Sequence, residues 1–173
     1  LIAKVIDSGT GSDYLDEATG ATKDLNAALF AAVIVSDLSG PVQAQVNPAT
    51  TLAAMKAGLS ADGSGTVKDA ASVRDANNLV AKALGLDDVS VAPVTTNGGK
   101  YAPNDGLSAG EKLGAALAAL SGLDSINAGN TQTSLTFLAG QIGLSGQALS
   151  AEGLAAVING AAAASPRTEG KLE

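Results

Sequence analysis

The stretch that decides the fold is Val46-Asn47-Pro48-Ala49-Thr50-Thr51-Leu52-Ala53-Ala54. Asn47 is a favourable N-cap, because its side-chain oxygen can accept a hydrogen bond from a free amide at the start of a helix. Pro48 suits the first helical position, where no amide proton is needed, and it pushes Asn47 toward extended geometry. The sequence therefore predicts a strand over residues 42–46 that turns into a helix at Pro48, and it predicts that the two layers of the domain join there.

The N-terminal side of this junction has the pattern of strands and turns. Residues 3–6 alternate weakly and indicate a strand. The apolar run 25–35 ends in β-branched residues, which favours a strand, although periodicity leaves a helix open for its first half. Residues 42–46 alternate apolar and polar side chains, as a half-buried strand does. We therefore predict a hairpin that pairs residues 30–36 with residues 42–46.

The C-terminal side has the pattern of short helices, each with its own cap and a glycine at its end. The predicted helices cover about residues 48–58, 68–84, 108–122, 131–143 (or 133–143) and 150–160, with a possible short strand over residues 89–94. The third helix opens with the capping box Ser108-Ala109-Gly110-Glu111. Gly85, Gly122, Gly143 and Gly160 are interpreted as C-terminal stops. Short, separately capped helices are typical of an antiparallel bundle.

The helical spacing of apolar residues predicts which side chains face the core. On the last three helices the predicted inward residues are Leu113, Ala116, Leu117 and Leu120, then Leu135, Leu138 and Ile142, and finally Leu154, Val157 and Ile158.

The predicted fold class is α+β, with a short N-terminal antiparallel β layer followed by a bundle of about five short α-helices. We assign residues 1–166 to a single module, of which residues 1–47 are mainly β and residues 48–166 mainly α. Residues 167–173 are interpreted as an added tail outside the module. The chain opens in mid-strand, and we expect it to be a piece of a longer protein.

The composition excludes several classes of function. The 173 residues carry a net charge of −7, which argues against a nucleic acid or an anionic membrane surface as partner. A run of 18 apolar residues is absent, so a membrane span is not expected. The sequence has no histidine and no cysteine, which removes the commonest general base, the usual zinc ligands and thiol nucleophiles. We therefore expect that the protein is not an enzyme.

An acidic loop is the one candidate metal site. The segment Ser8-Gly9-Thr10-Gly11-Ser12-Asp13-Tyr14-Leu15 nearly matches one repeat of the calcium-binding Gly-Gly-x-Gly-x-Asp type. Asp7, Asp13, Asp16 and Glu17 could form an oxygen-only site, which suits calcium. The alternative is a Gly/Ser turn with solvated carboxylates.

The arrangement of several segments resembles a known family. The segments are Tyr14-Leu15-Asp16-Glu17-Ala18-Thr19-Gly20, the stretch around Asn47-Pro48, Ala76-Asn77-Asn78-Leu79-Val80, and Leu113-Gly114-Ala115-Ala116-Leu117-Ala118-Ala119-Leu120. Together they resemble a module of the giant repeat-rich bacterial surface adhesins of the RTX or biofilm type, which are exported by type I secretion.

This resemblance implies an extracellular, non-catalytic module at the bacterial cell surface, with a role in cell adhesion or biofilm formation. It implies neighbouring repeats of the same chain as partners, and host or biofilm surface ligands as further candidates. Calcium often stiffens the linkers of such proteins. The alternative function is a ligand-binding module that holds a sugar or peptide between the hairpin layer and the bundle, around residues 89–105, with Tyr101 and Asn104 as ligand-binding residues.

Overall fold

The computed structural model describes residues 1–16, 18–37, 39–96 and 106–167. Within these ranges the chain forms four short strands and then five α-helices. The strands are β1 (Ile2–Val5), β2 (Tyr14–Leu15), β3 (Thr22–Lys23) and β4 (Leu29–Ala32), and the helices are α1 (Pro48–Lys56), α2 (Ala70–Leu84), α3 (Ala109–Ile126), α4 (Thr131–Gln141) and α5 (Ala151–Ala164). The predicted α+β fold class is confirmed.

The strand pairing differs from the predicted hairpin. β4 pairs antiparallel with β1, so that Ile2 lies opposite Ala32, and β2 pairs antiparallel with β3. Residues 42–46 approach α1 without joining a sheet, and residues 89–94 do not form a strand either. The predicted pairing was wrong because an alternation of apolar and polar residues shows only that one face of a segment is buried. It does not identify the strand that would complete the ladder.

The helix start at Asn47 forms as predicted, although the predicted strand over residues 42–46 does not precede it. Asn47 has extended backbone geometry, with φ −151°, and its Oδ1 accepts a hydrogen bond from the Thr50 N–H at 2.9 Å. Thr50 Oγ1 accepts in return from the Asn47 N–H at 2.9 Å. The N–H of Phe30, in β4, donates to Thr51 Oγ1 at 2.9 Å. The first turn of α1 is therefore hydrogen-bonded directly to the β layer.

The hydrophobic core surrounds α1 and is built almost entirely from aliphatic side chains. Its most deeply buried large members are Leu52, Val80, Val89, Leu113, Leu120, Leu135, Leu138 and Ile142, each at most 4% exposed. The inward face predicted for α4 is thus confirmed, together with its continuation at Ile142. Burial of each such side chain contributes about 1.5–3 kcal/mol to stability.

Two glycines that were interpreted as helix stops lie instead inside α3 and α5. A Cβ on Gly122 would lie 1.9 Å from the carbonyl oxygen of Gly160, and a Cβ on Gly160 would lie 2.2 Å from that of Ala119. The predicted stops at Gly122 and Gly160 were wrong, because glycine serves here to let two helix backbones touch. Gly85 does end α2, in left-handed geometry with φ 68°.

This close crossing also decides which face of α5 is buried. Gly153, Gly160 and Ala164 are buried, whereas Leu154 is 52% and Ile158 is 57% exposed. The prediction that Leu154 and Ile158 face inward was wrong. Large side chains at the crossing would hold α3 and α5 too far apart for the backbone contact.

Candidate functional site

Three carboxylates meet at one end of the β layer. One oxygen each from Asp7, Asp13 and Asp24 lie within 4.8 Å of one another. Asp7 follows β1, Asp13 precedes β2 and Asp24 follows β3. We call this group the carboxylate triad.

The pairing of β2 with β3 brings the triad together. Tyr14 lies opposite Lys23 in this pair, which places the preceding Asp13 beside the following Asp24. Both the backbone and the side chain of Asp13 are held by hydrogen bonds. Its N–H donates to the Lys23 carbonyl at 2.8 Å, and its Oδ2 accepts from the Leu25 N–H at 2.9 Å.

Asp7 reaches the triad from the loop after β1. Its Oδ1 accepts a hydrogen bond from the Gly9 N–H at 2.8 Å, which turns the chain back toward Asp13. In the predicted calcium loop, the Gly9 amide therefore holds the side chain of the preceding Asp7. Asp7 and Asp13 from this part of the chain lie close to Asp24.

The triad concentrates negative charge at the surface. Desolvation and the nearby carboxylates of Asp7 and Asp13 raise the pKa of Asp24 above its usual value. Like charges this close repel one another, and either a proton or a bound cation relieves the repulsion. Oxygen-only ligands are those that calcium prefers. The arrangement can therefore offer three carboxylate ligands to a hard cation.

The predicted metal site is only partly the group that the structure assembles. Asp7 and Asp13 belong to the triad, whereas Asp16 lies in a separate, buried group. Glu17 lies outside the described residues. Sequence reasoning missed Asp24, because its place beside Asp13 depends on the register of β2 and β3. The short separation of two extended pieces around the Thr19-Gly20 turn was the signal that could have revealed it.

Asp16 fastens the β2–β3 turn to α3. Its carboxylate pairs with Lys23 and accepts a hydrogen bond from Ser121 of α3, and it accepts from Thr19 Oγ1 at 2.6 Å. Burial alone would raise the pKa of Asp16, but the bonds from Lys23, Ser121 and Thr19 hold the pKa below its usual value. With these partners occupied, Asp16 acts as a structural carboxylate.

A cavity of about 390 Å³ lies between the β layer and helices α3 and α4. We call it the interlayer cavity. Its wall is mostly aliphatic, and it includes Leu117, which was predicted to lie in the core and is instead half-buried. Its polar part contains Tyr14, Asp124 and Thr131.

The second predicted site falls at the edge of what the structure describes. Tyr101 and Asn104 lie outside the described residues. Pro93 and Thr95, from the same predicted segment, line the interlayer cavity. The described part of that segment therefore does border a cavity between the two layers.

Comparisons with family models, with curated proteins and with solved structures return no significant match. Among the helices of the described ranges, none is long and apolar enough to cross a membrane.

Proposed function

We propose that the chain is a non-catalytic structural and adhesive module of a large extracellular bacterial adhesin, with a role in surface attachment or biofilm formation. The resemblance of the sequence to modules of such adhesins motivates the proposal. The observation that supports it is the carboxylate triad, three closely spaced carboxylates that a calcium ion could bind. Neighbouring repeats of the same chain are the proposed partners.

Calcium at the triad would stiffen the β layer. The three ligands come from two connections: Asp7 and Asp13 lie at the two ends of the loop between β1 and β2, and Asp24 lies in the connection after β3. A cation that binds all three ties these connections together, and it offsets the desolvation and the repulsion that raise the pKa of Asp24. Extracellular modules bind calcium with dissociation constants of about 10⁻⁴–10⁻³ M, which is the range we propose.

Titration calorimetry with calcium tests the proposal. Wild-type protein is compared with Asp13→Asn/Asp24→Asn and with the control Asp75→Asn, which removes an exposed carboxylate from the middle of α2. We expect wild type and Asp75→Asn to bind one calcium ion equally, and the double variant to lose binding. Equal binding by all three proteins would place the calcium elsewhere, and no binding by wild type would refute the calcium site.

Two further measurements address the adhesive and non-catalytic parts. Beads coated with wild-type protein should attach to a bacterial biofilm more than beads coated with an unrelated acidic protein, and attachment should decline when a chelator removes calcium. Assays with glycoside, ester and peptide substrates should show no turnover. Attachment no greater than that of the control beads would contradict adhesion, and turnover that survives repurification would contradict the non-catalytic assignment.

A further inference from the structure

The interlayer cavity has the size and the lining of a small-molecule site. Its volume of about 390 Å³ falls within the range of about 300–1,000 Å³ that is typical of such sites. Its lining includes Leu25 and Leu29 from the segment around β4, and Leu117 and Leu135 from α3 and α4. The greater part of a bound molecule would therefore contact aliphatic carbon.

A short chain of polar groups occupies one part of the wall. Asp124 of α3 is half-buried, and its Oδ2 accepts a hydrogen bond from Thr131 Oγ1 at 2.7 Å. Tyr14 also lines the cavity. The hydrogen bond from Thr131 fixes the Asp124 carboxylate at the edge of the apolar space, where it can orient a ligand.

The charge of the wall is negative. Asp13 and Asp124 are the charged residues among the described residues that line the cavity, and none of these lining residues is lysine or arginine. The nearby Lys23 is paired with Asp16. An anionic ligand would therefore lie beside uncompensated negative charge, whereas a cation would be attracted.

We propose that the interlayer cavity binds a small aliphatic molecule that carries one protonated amine, with its hydrocarbon part against the leucines and its ammonium group beside Asp124. This site goes beyond the structural and adhesive role and does not rest on calcium. Burial raises the pKa of Asp124 above its usual value, and an ammonium group beside the carboxylate would offset that effect. A sugar fits less well, because Tyr14 is the one aromatic side chain among the described lining residues.

A set of probes with equal chain length tests the charge preference. Binding of n-octylamine, n-octanol and octanoate is measured by titration calorimetry at pH 7 in the presence of EDTA. We expect n-octylamine to bind most tightly, n-octanol more weakly, and octanoate not measurably. Because EDTA removes calcium throughout, the result does not depend on calcium binding at the carboxylate triad.

Variants then locate the binding. Asp124→Asn should reduce the affinity for n-octylamine about tenfold or more, as expected from loss of a charge-assisted hydrogen bond, and should leave n-octanol nearly unchanged. Leu117→Trp, which places a larger side chain in the cavity, should abolish binding of both. The surface control Asp75→Asn should change neither.

Several results would overturn the proposal. These are binding of octanoate as tight as that of n-octylamine, no binding of n-octylamine by wild type, and unchanged amine binding by Asp124→Asn or Leu117→Trp. Circular dichroism verifies that each variant is folded. If a variant fails to fold, amide chemical shifts of the wild type decide: n-octylamine must shift Tyr14, Asp124 and Thr131, and shifts confined to other regions refute the site.

Discussion

Gly122→Ala tests the close crossing of α3 and α5. The added Cβ would lie 1.9 Å from the carbonyl oxygen of Gly160, 2.7 Å from its carbonyl carbon and 3.1 Å from its Cα. All three are backbone atoms, so no side-chain rotation can make room. To reach the 3.0 Å below which real Cβ contacts essentially never occur, the two helices must separate by at least about 1.1 Å.

The expected cost follows from two opposing effects. Overpacking of a well-packed contact costs about 1–3 kcal/mol and occasionally more, and a contact with backbone belongs at the upper end. Alanine is a better helix former than glycine by about 0.8–1.0 kcal/mol, which offsets part of this cost. We expect Gly122→Ala to lower the free energy of unfolding by about 2 kcal/mol.

Gly140→Ala is the matched control. Gly140 lies near the end of α4, where an added Cβ meets no atom within 4 Å. Here only the difference in helix propensity operates, so the free energy of unfolding of this variant should rise by about 0.5–1 kcal/mol. Urea unfolding followed by far-ultraviolet circular dichroism measures both variants against wild type. A Gly122→Ala protein as stable as Gly140→Ala would show that the helices do not touch at Gly122.

Four further variants test the junction, the buried carboxylate, the core and the exposed face of α5. Asn47→Ala should cost about 1–2 kcal/mol in urea unfolding, because it removes the cap of α1 and a hydrogen bond to the Val89 carbonyl; an unchanged midpoint would contradict the cap. Asp16 has a folded-state pKa below its usual 3.8, so its contribution is present above about pH 4 and is lost as pH falls through the folded-state pKa. Asp16→Asn should therefore lower stability at neutral pH and flatten its decline in acid, and a parallel decline in both proteins would refute this. In the same urea assay Leu138→Ala should lower the free energy of unfolding by about 2–5 kcal/mol, whereas Leu154→Ala should change it by no more than about 0.5 kcal/mol. Similar losses of stability for the two variants would contradict the assigned face of α5.

Features set by a few neighbouring residues could be predicted from the sequence. The Asn47-Pro48 pair and the Ser108 capping box act within one helical turn, and both helix starts form where they were expected. The face of α4 also follows from local spacing, because Leu135 and Leu138 are large and the helix packs on one side. In these places the sequence contains both partners of the decisive interaction.

Features that depend on distant residues could not be predicted. Whether Gly122 ends a helix or allows a crossing depends on Gly160, which lies in another helix. The partner of β4 is Ile2–Val5, separated from it by the β2–β3 turn. Asp24 was missed for a different reason, because its place beside Asp13 depends on the register of the β2–β3 pair.

The pairing of β1 with β4 has a consequence for amide hydrogen exchange. β1 is held by one neighbouring strand among the described residues, and Ile2 and Val5 are 41% and 44% exposed. A segment with so little buried surface opens locally at low free-energy cost, and its opening carries Asp7 away from Asp13 and Asp24. A cation held by all three binds only the closed form, and at a hundredfold excess over its dissociation constant it adds about 2.7 kcal/mol to the cost of opening. The amides of β1 would then exchange about a hundredfold more slowly. The amides of α1, by contrast, exchange through global unfolding.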